Sequence, residues 1–303
     1  MRPVTVSAGP VGSTAANNIA ASQTTPGPGS LIATTITAGT TAIAATNTFA
    51  AGYGVVFSGP MQSITGLNLG QVYYVIASGL SGSQFEVSDK PAGTAITPGG
   101  TGTATPNVAT AGQVTLNGSL ASYSNGVTTV PLSSPQRIKI TTADTTHTFT
   151  VNGLDAAGNI LTETIGPITS SATSTLDYST ITSITVSGTL TAAVTVGNGG
   201  SPLASTPWVR LDEWSPGTVS IQVDVTGTVN FTVQCSNDDP NSPTSPVLPQ
   251  NMDWINTNDP AAVSATASLQ TNFLIVPTWT RTLLNSGSGS IVVNVVQSGV
   301  VPY

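Results

Sequence analysis

Apolar and polar residues alternate along most of this chain. Residues 218–226 place Val219, Ile221, Val223 and Val225 on one face and Ser220, Gln222 and Asp224 on the other. That period of two predicts a half-buried antiparallel strand. The same reading predicts strands over 53–57, 71–76, 84–88, 137–141, 146–151, 160–165, 181–186 and 190–196, and a late one over 291–296 that is apolar on both sides. Thr, Val and Ile fill these runs because β-branched side chains pack well on a pleated surface. Gly and Pro fall mainly between them, as turn chemistry. Residues 155–159 predict a hairpin turn between 149–151 and 160–165, and residues 187–189 are read as the connection between 181–186 and 190–196. No long stretch carries a 3.6-residue apolar period, and the best helical candidate is the short 260–268. The class is therefore all-β, with two or three β-sandwich or barrel-like domains joined by Gly/Pro/Thr-rich linkers.

Length gives a prior of two or three domains for 303 residues. Residues 1–34 form an N-terminal arm that can also belong to the second β unit. Residues 41–106 form a small β module, expected as an insertion in a loop of that unit, since exposed loops tolerate inserted domains. It ends in 98–106, a Gly/Thr/Pro run with the composition of a flexible linker. Residues 112–200 form the second unit and 207–303 the third, which holds every Trp in the chain. The Pro-rich run 237–246 is expected to be a stiff exposed loop.

Composition changes the picture. Only 6% of residues are charged, against roughly 25% in ordinary soluble proteins. The formal net charge is −7, from 13 acidic and 6 basic residues. Nucleic-acid binding needs a basic stripe, and electrostatic membrane anchoring needs a basic cluster. Neither is present, so no nucleic-acid or membrane partner is expected. The N-terminal residues lack the apolar core of a secretory signal, and no run approaches the roughly 20 apolar residues of a spanning helix. An apolar content of 39% is too high for a disordered chain.

Candidate chemistry is sparse. His147 is the only histidine, and Asp144 precedes it by three positions. A Ser/His/Asp triad can be drawn, but no Gly-x-Ser-x-Gly elbow accompanies it, and a strand-end histidine with a structural hydrogen bond is the simpler reading. Cys235 lies on the side of Val229, Phe231 and Val233 and reads as a small buried residue. Asp212-Glu213 and Asp238-Asp239 offer oxygen ligands without a calcium-loop repeat, and their simpler role is turn solvation. A carboxylate pair for glycoside cleavage has no aromatic-rich surround. No catalytic residue, cofactor or metal is assigned. The most concentrated patch is Trp208, Arg210, Asp212 and Trp214. It reads as a contact surface between domains or subunits, because Trp and Arg dominate such contacts.

Several runs resemble a known group. They are 138–144 (IKITTAD), 147–166 (HTFTVNGLDAAGNILTETIG), 173–188 (TSTLDYSTITSITVSG), 194–200 (VTVGNGG) and 207–212 (PWVRLD). Together these resemble β-rich structural proteins of tailed-bacteriophage virions. Residues 66–76 (GLNLGQVYYVI) and 84–88 (QFEVS) resemble a small β module found in phage tail and fibre proteins. The resemblance implies a non-enzymatic virion component assembled in the host cytoplasm. The expected role is a capsid decoration, cement or head-fibre protein bound to the major capsid protein or another virion protein. The expected state is a homo-oligomer, with a trimer as the first expectation. A tail adaptor, collar or tail fibre is the alternative in the same class, and a carbohydrate-binding adhesin the alternative in another. Residues 1–31 and 291–296 are the expected strand-addition contacts between subunits.

Overall fold

The computed structural model describes residues 3–11, 14–124, 127–212 and 218–297. The fold is all-β, with 47% strand and 2% helix. The sheets are antiparallel and open, and among the described residues none closes into a barrel.

Three apolar cores are each enclosed by two sheets. In the first unit, Val55, Phe57, Tyr73, Val75, Val87 and Val108 face Ile36, Ile43, Phe85 and Ala104 across the core. In the second, Val130, Phe149, Val151, Leu161, Tyr178, Ile181 and Ile184 meet Ile138, Ile140, Val194 and Val196. In the third, Val219, Ile221, Val223, Ile291, Val293 and Val295 meet Val229, Phe231, Val233 and Leu284. Alternation creates these cores, because every second side chain of a strand points to the same face.

One N-terminal segment supplies an edge strand to each unit. Val4–Ala8 pairs with Ser290–Gln297 in the third, Ala20–Gln23 with Val194–Asn198 in the second, and Ile32–Ala33 with Asn107–Thr110 in the first. Ser290–Gln297 thus lies between Val4–Ala8 and Val219–Thr226, with both edges occupied. Of the two segments expected to add strands between subunits, Val4–Ala8 of 1–31 pairs with 291–295 within the chain. Ala8 is buried, and Val4 and Val6 pack on the core, so the arm contributes more apolar surface than its composition indicates. The chain leaves the second unit after Ala20–Gln23, traverses the first unit, and returns where Gln113 bridges Thr185.

Three local expectations are revised. Residues 98–106 are not a linker. Gly99–Gly100 pairs with Ile64–Thr65, and Thr103–Ala104 with Thr35–Thr37. A Cβ on Gly100 would lie 1.8 Å from the Ser63 carbonyl oxygen, and its φ is +93°, so glycine here permits close pairing. The strand expected over 190–196 begins only at Val194 and runs to Asn198. Tyr178–Val186 pairs with Phe149–Leu154, whereas Val194–Asn198 pairs with Ile138–Thr142 in the facing sheet. The connection crosses because the arm pins it: Leu190 N donates to Thr25 O (3.0 Å) and Gly27 N to Thr189 Oγ1 (3.0 Å). Within 260–268 only Pro260–Ala262 turns, as a 3-10 helix capped by Asp259. Ser264 has φ +55°, and Ala265 bridges Phe231, so the helix cannot continue.

The 155–159 turn has the expected form. Asp155 accepts from the backbone N–H groups of Ala157 and Asn159, both at 2.8 Å, and Gly158 takes φ +86°.

Candidate functional site

The densest constellation of aromatic and charged side chains lies where the second and third units meet. Trp279 and Arg281 are two apart on the strand Trp279–Gly287, so both project to one face. Trp208 precedes Val209–Arg210, whose pairing sets Arg210 opposite Trp279. The Trp208 ring centroid stands 5.1 Å from that of Trp254, tilted, and 6.3 Å from that of Trp279, edge-on. Such edge-on geometry suits the aromatic quadrupole.

Cations complete the cluster. The Arg281 guanidinium lies 4.2 Å from the Trp254 centroid, and that of Arg210 lies 5.8 Å from the Trp279 centroid. Arg210 Nη2 also donates to Asp239 Oδ2 at 2.8 Å, from the Pro-rich loop. That pair is partly exposed, so it contributes little to stability. Arg281 is different. It is buried, donates through Nε to Gln234 Oε1 (3.0 Å), and reaches across to Asp177 Oδ2 (3.1 Å) on the second unit. Arg137 Nε lies 3.5 Å from Asp177 Oδ1, an ion pair without hydrogen-bond geometry. Burial pushes the Asp177 carboxyl above its usual range against the pull of Arg281 and Arg137. Burial lowers the Arg281 guanidinium to about 10, with Asp177 opposing. The seam therefore holds a desolvated charge set whose members depend on one another.

Of the four residues named from the sequence, Trp208 and Arg210 join this cluster. Asp212 does not: its backbone N–H and carbonyl pair with the Gln297 side chain at 2.8 and 2.7 Å, at the end of the last strand. Trp214, with Glu213, lies outside the described residues. Sequence reasoning missed Trp254, Trp279, Arg281 and Asp177. The alternation of Trp279 and Arg281 on one face was the available signal. Asp177 carries none, because its partners lie 40 and 104 positions away.

The other candidate chemistry resolves into structure. His147 Nδ1 lies 3.0 Å from both oxygens of Asp144, which is fully buried. Asp144 also accepts from Thr191 N (2.8 Å), Thr146 N (2.9 Å) and His147 N (3.0 Å). Desolvation works to raise its pKa, but these donors prevail and hold the carboxyl well below the usual range. A Cβ at Gly188 would stand 2.6 Å from His147 Nε2, so the ring's far edge lies on backbone rather than beside a nucleophile. The pair tethers the crossing loop. Cys235 is half-buried, and burial raises its thiol pKa. Asp238 accepts from Asp253 N and Asp239 from Asn241 N, which is loop solvation. Among the described residues no group of three or more His, Cys, Asp or Glu is placed to hold a metal ion.

No family model matches the chain, and no curated protein matches it.

Proposed function

We propose that this chain is a non-enzymatic structural protein of a tailed-bacteriophage virion, acting as a capsid decoration, cement or head-fibre component. The observation that carries this reading is the N-terminal segment that contributes an edge strand to all three sandwiches. Separating the units requires stripping ladders of hydrogen bonds, and the buried Asp177–Arg281 contact adds a second tie. A body built this way resists tension along the chain. That property suits a clamp holding capsid subunits against internal DNA pressure. The low charge and the sequence resemblance support the same class.

In this reading the major capsid protein or another virion protein is the partner, and the chain works as a homo-oligomer, a trimer in the first instance. With 291–296 occupied, the contact falls to remaining edges. Leu269–Phe273 is the strongest, because it ends its sheet and runs into Leu274 and Ile275, 78% and 88% exposed. An uncharged edge beside exposed apolar residues is suited to strand addition.

Cryo-electron microscopy of particles assembled with and without this chain tests the proposal. Density lost from the outer capsid surface is the expected result. Density lost from the neck or tail replaces decoration with an adaptor, collar or fibre role, and particles that never contain the chain overturn the virion reading.

A further inference from the structure

A cleft of about 820 Å³ opens between the first and second units. That size falls within the roughly 300–1,000 Å³ of small-molecule sites, which favour domain boundaries. The first unit contributes the turn 90–93 with Ala51 and Ala77, and the second contributes Asn117, Ser122 and Tyr123. The walls are fixed by contacts of their own. Thr115 Oγ1 donates to Gly52 O (2.8 Å), which ties the two units where both line the cleft. Gly93 N and the Ser88 hydroxyl both donate to Lys90 O. Ala92 takes φ +53°, a left-handed setting that costs a residue with a Cβ and persists only where its surroundings hold it. The base of Lys90 is therefore anchored while the residue stays exposed. Walls organised in advance lower the ordering cost of binding.

Charge narrows the ligand. Lys90 is the one charged side chain among the described lining residues. Arg137, Arg210 and Arg281 each pair with an aspartate, whereas Lys90 forms no ion pair among the described residues. Its ammonium lies 5.6 Å from the Tyr123 ring centroid, a cation–π contact that leaves its N–H donors for another acceptor. The neighbouring Asp89 is not part of the lining, and its charge acts on the Tyr73 hydroxyl. From the second unit, Asn117 Oδ1 accepts from Ala21 N (2.8 Å), and Asn117 Nδ2 donates to no described group. Ser122 is exposed beside it in the lining. The cleft thus offers a positive charge with amide and hydroxyl donors, in a chain of net charge −7. Phosphate is disfavoured. The lining N–H groups of Gly52, Gly93 and Gly118 already donate to Val75 O, Lys90 O and Ile19 O, so they form no backbone nest for a dianion. One ammonium matches one carboxylate. Alanine and proline surfaces beside polar donors suit a ring with a C–H face and a hydroxyl rim.

We propose that this cleft binds an acidic sugar, with its carboxylate on the Lys90 ammonium and ring hydroxyls on Asn117 Nδ2 and the Ser122 hydroxyl. The site goes beyond the structural role and does not depend on it, because both walls belong to one chain.

The test uses the full chain at constant ionic strength and five probes: glucuronate, galacturonate, glucose, galactose and acetate. Each is titrated to about 50 mM, since one ring binds with a Kd on the order of 1 mM. The backbone amide resonances of Gly93 and Gly118, one on each wall, report binding and its place. At least one uronate is expected to shift both resonances saturably, with its neutral counterpart and acetate about tenfold weaker or more. Lys90→Met keeps the apolar stem and removes the charge, and should weaken uronate binding about tenfold or more. Lys90→Arg should retain it. Asn117→Asp keeps the acceptor for Ala21 N, exchanges the donor for a negative charge, and should abolish uronate binding. Thermal unfolding confirms that the variants fold. Failure of both uronates to bind, equal binding of acetate or of the neutral sugars, or binding that survives Lys90→Met overturns the proposal.

Discussion

Asp177 and Arg281 are buried together across two separately cored units, with Nη1 3.1 Å from Oδ2. The contact joins the residue just before Tyr178–Val186 to the middle of a strand in another sandwich. Its energetics are asymmetric: removing one partner strands a buried charge, whereas replacing both with apolar groups can be neutral.

Asp177→Ala should therefore cost about 3–5 kcal/mol, read as a lowered midpoint in denaturant. The pair Asp177→Leu with Arg281→Met should recover a large part of the loss. A double variant no better than Asp177→Ala alone would contradict the buried-pair account.

Asp144 gives a pH dependence whose sign is fixed. Its folded carboxyl pKa lies below the ordinary 3.8, so its contribution is present above that value and is lost as pH falls toward the folded one. Asp177 acts in the opposite sense. Its pKa is raised, so its contribution is largest in acid and fades as pH rises through the folded value. Asp144→Asn should flatten the fall in stability below about pH 4, and Asp177→Asn should not. Equilibrium unfolding between pH 2 and 7 distinguishes them.

Gly100→Ala places a methyl against the Ser63 carbonyl at a left-handed backbone position. The expected cost is about 2 kcal/mol or more. Loss should be local, seen as faster amide exchange in Ile64–Thr65 and its neighbours with the third unit unchanged.

Deleting residues 1–11 removes the partner of Ser290–Gln297 and exposes an apolar edge. Free edges of this kind recruit other chains. Size-exclusion chromatography should show new self-association. A deletion variant that elutes like the intact chain would falsify the importance of this cover.

The fold class was legible because strand periodicity is local. Val219, Ile221 and Val223 announce their face within one segment, and the Asp155–Asn159 turn carries its own hydrogen bonds. Pairing was less legible. Nothing within 98–106 says that Gly100 lies against Ser63, so a glycine run reads as a linker when it is a sheet contact. The crossing at Gly188 depends on Thr25 and on the Asp144–His147 pair, both remote or side-chain effects. Half of the aromatic cluster was readable as Trp208 and Arg210. Its charged centre was not, because a buried acid and its cations find each other only after the second and third units have packed together.

Thr5 Oγ1 donates to Asn294 Oδ1 at 2.7 Å, 289 positions away. During synthesis that early strand must wait, solvent-exposed, until Ser290–Gln297 has emerged. Closing so long a loop adds only about 0.6 kcal/mol per doubling of its length, so the thermodynamic cost is modest. The kinetic cost is larger, because distant pairings form late. Docking of Val4–Ala8 thus marks completion of the third sandwich: a chain that stops short of Ser290–Gln297 leaves that sandwich unsealed.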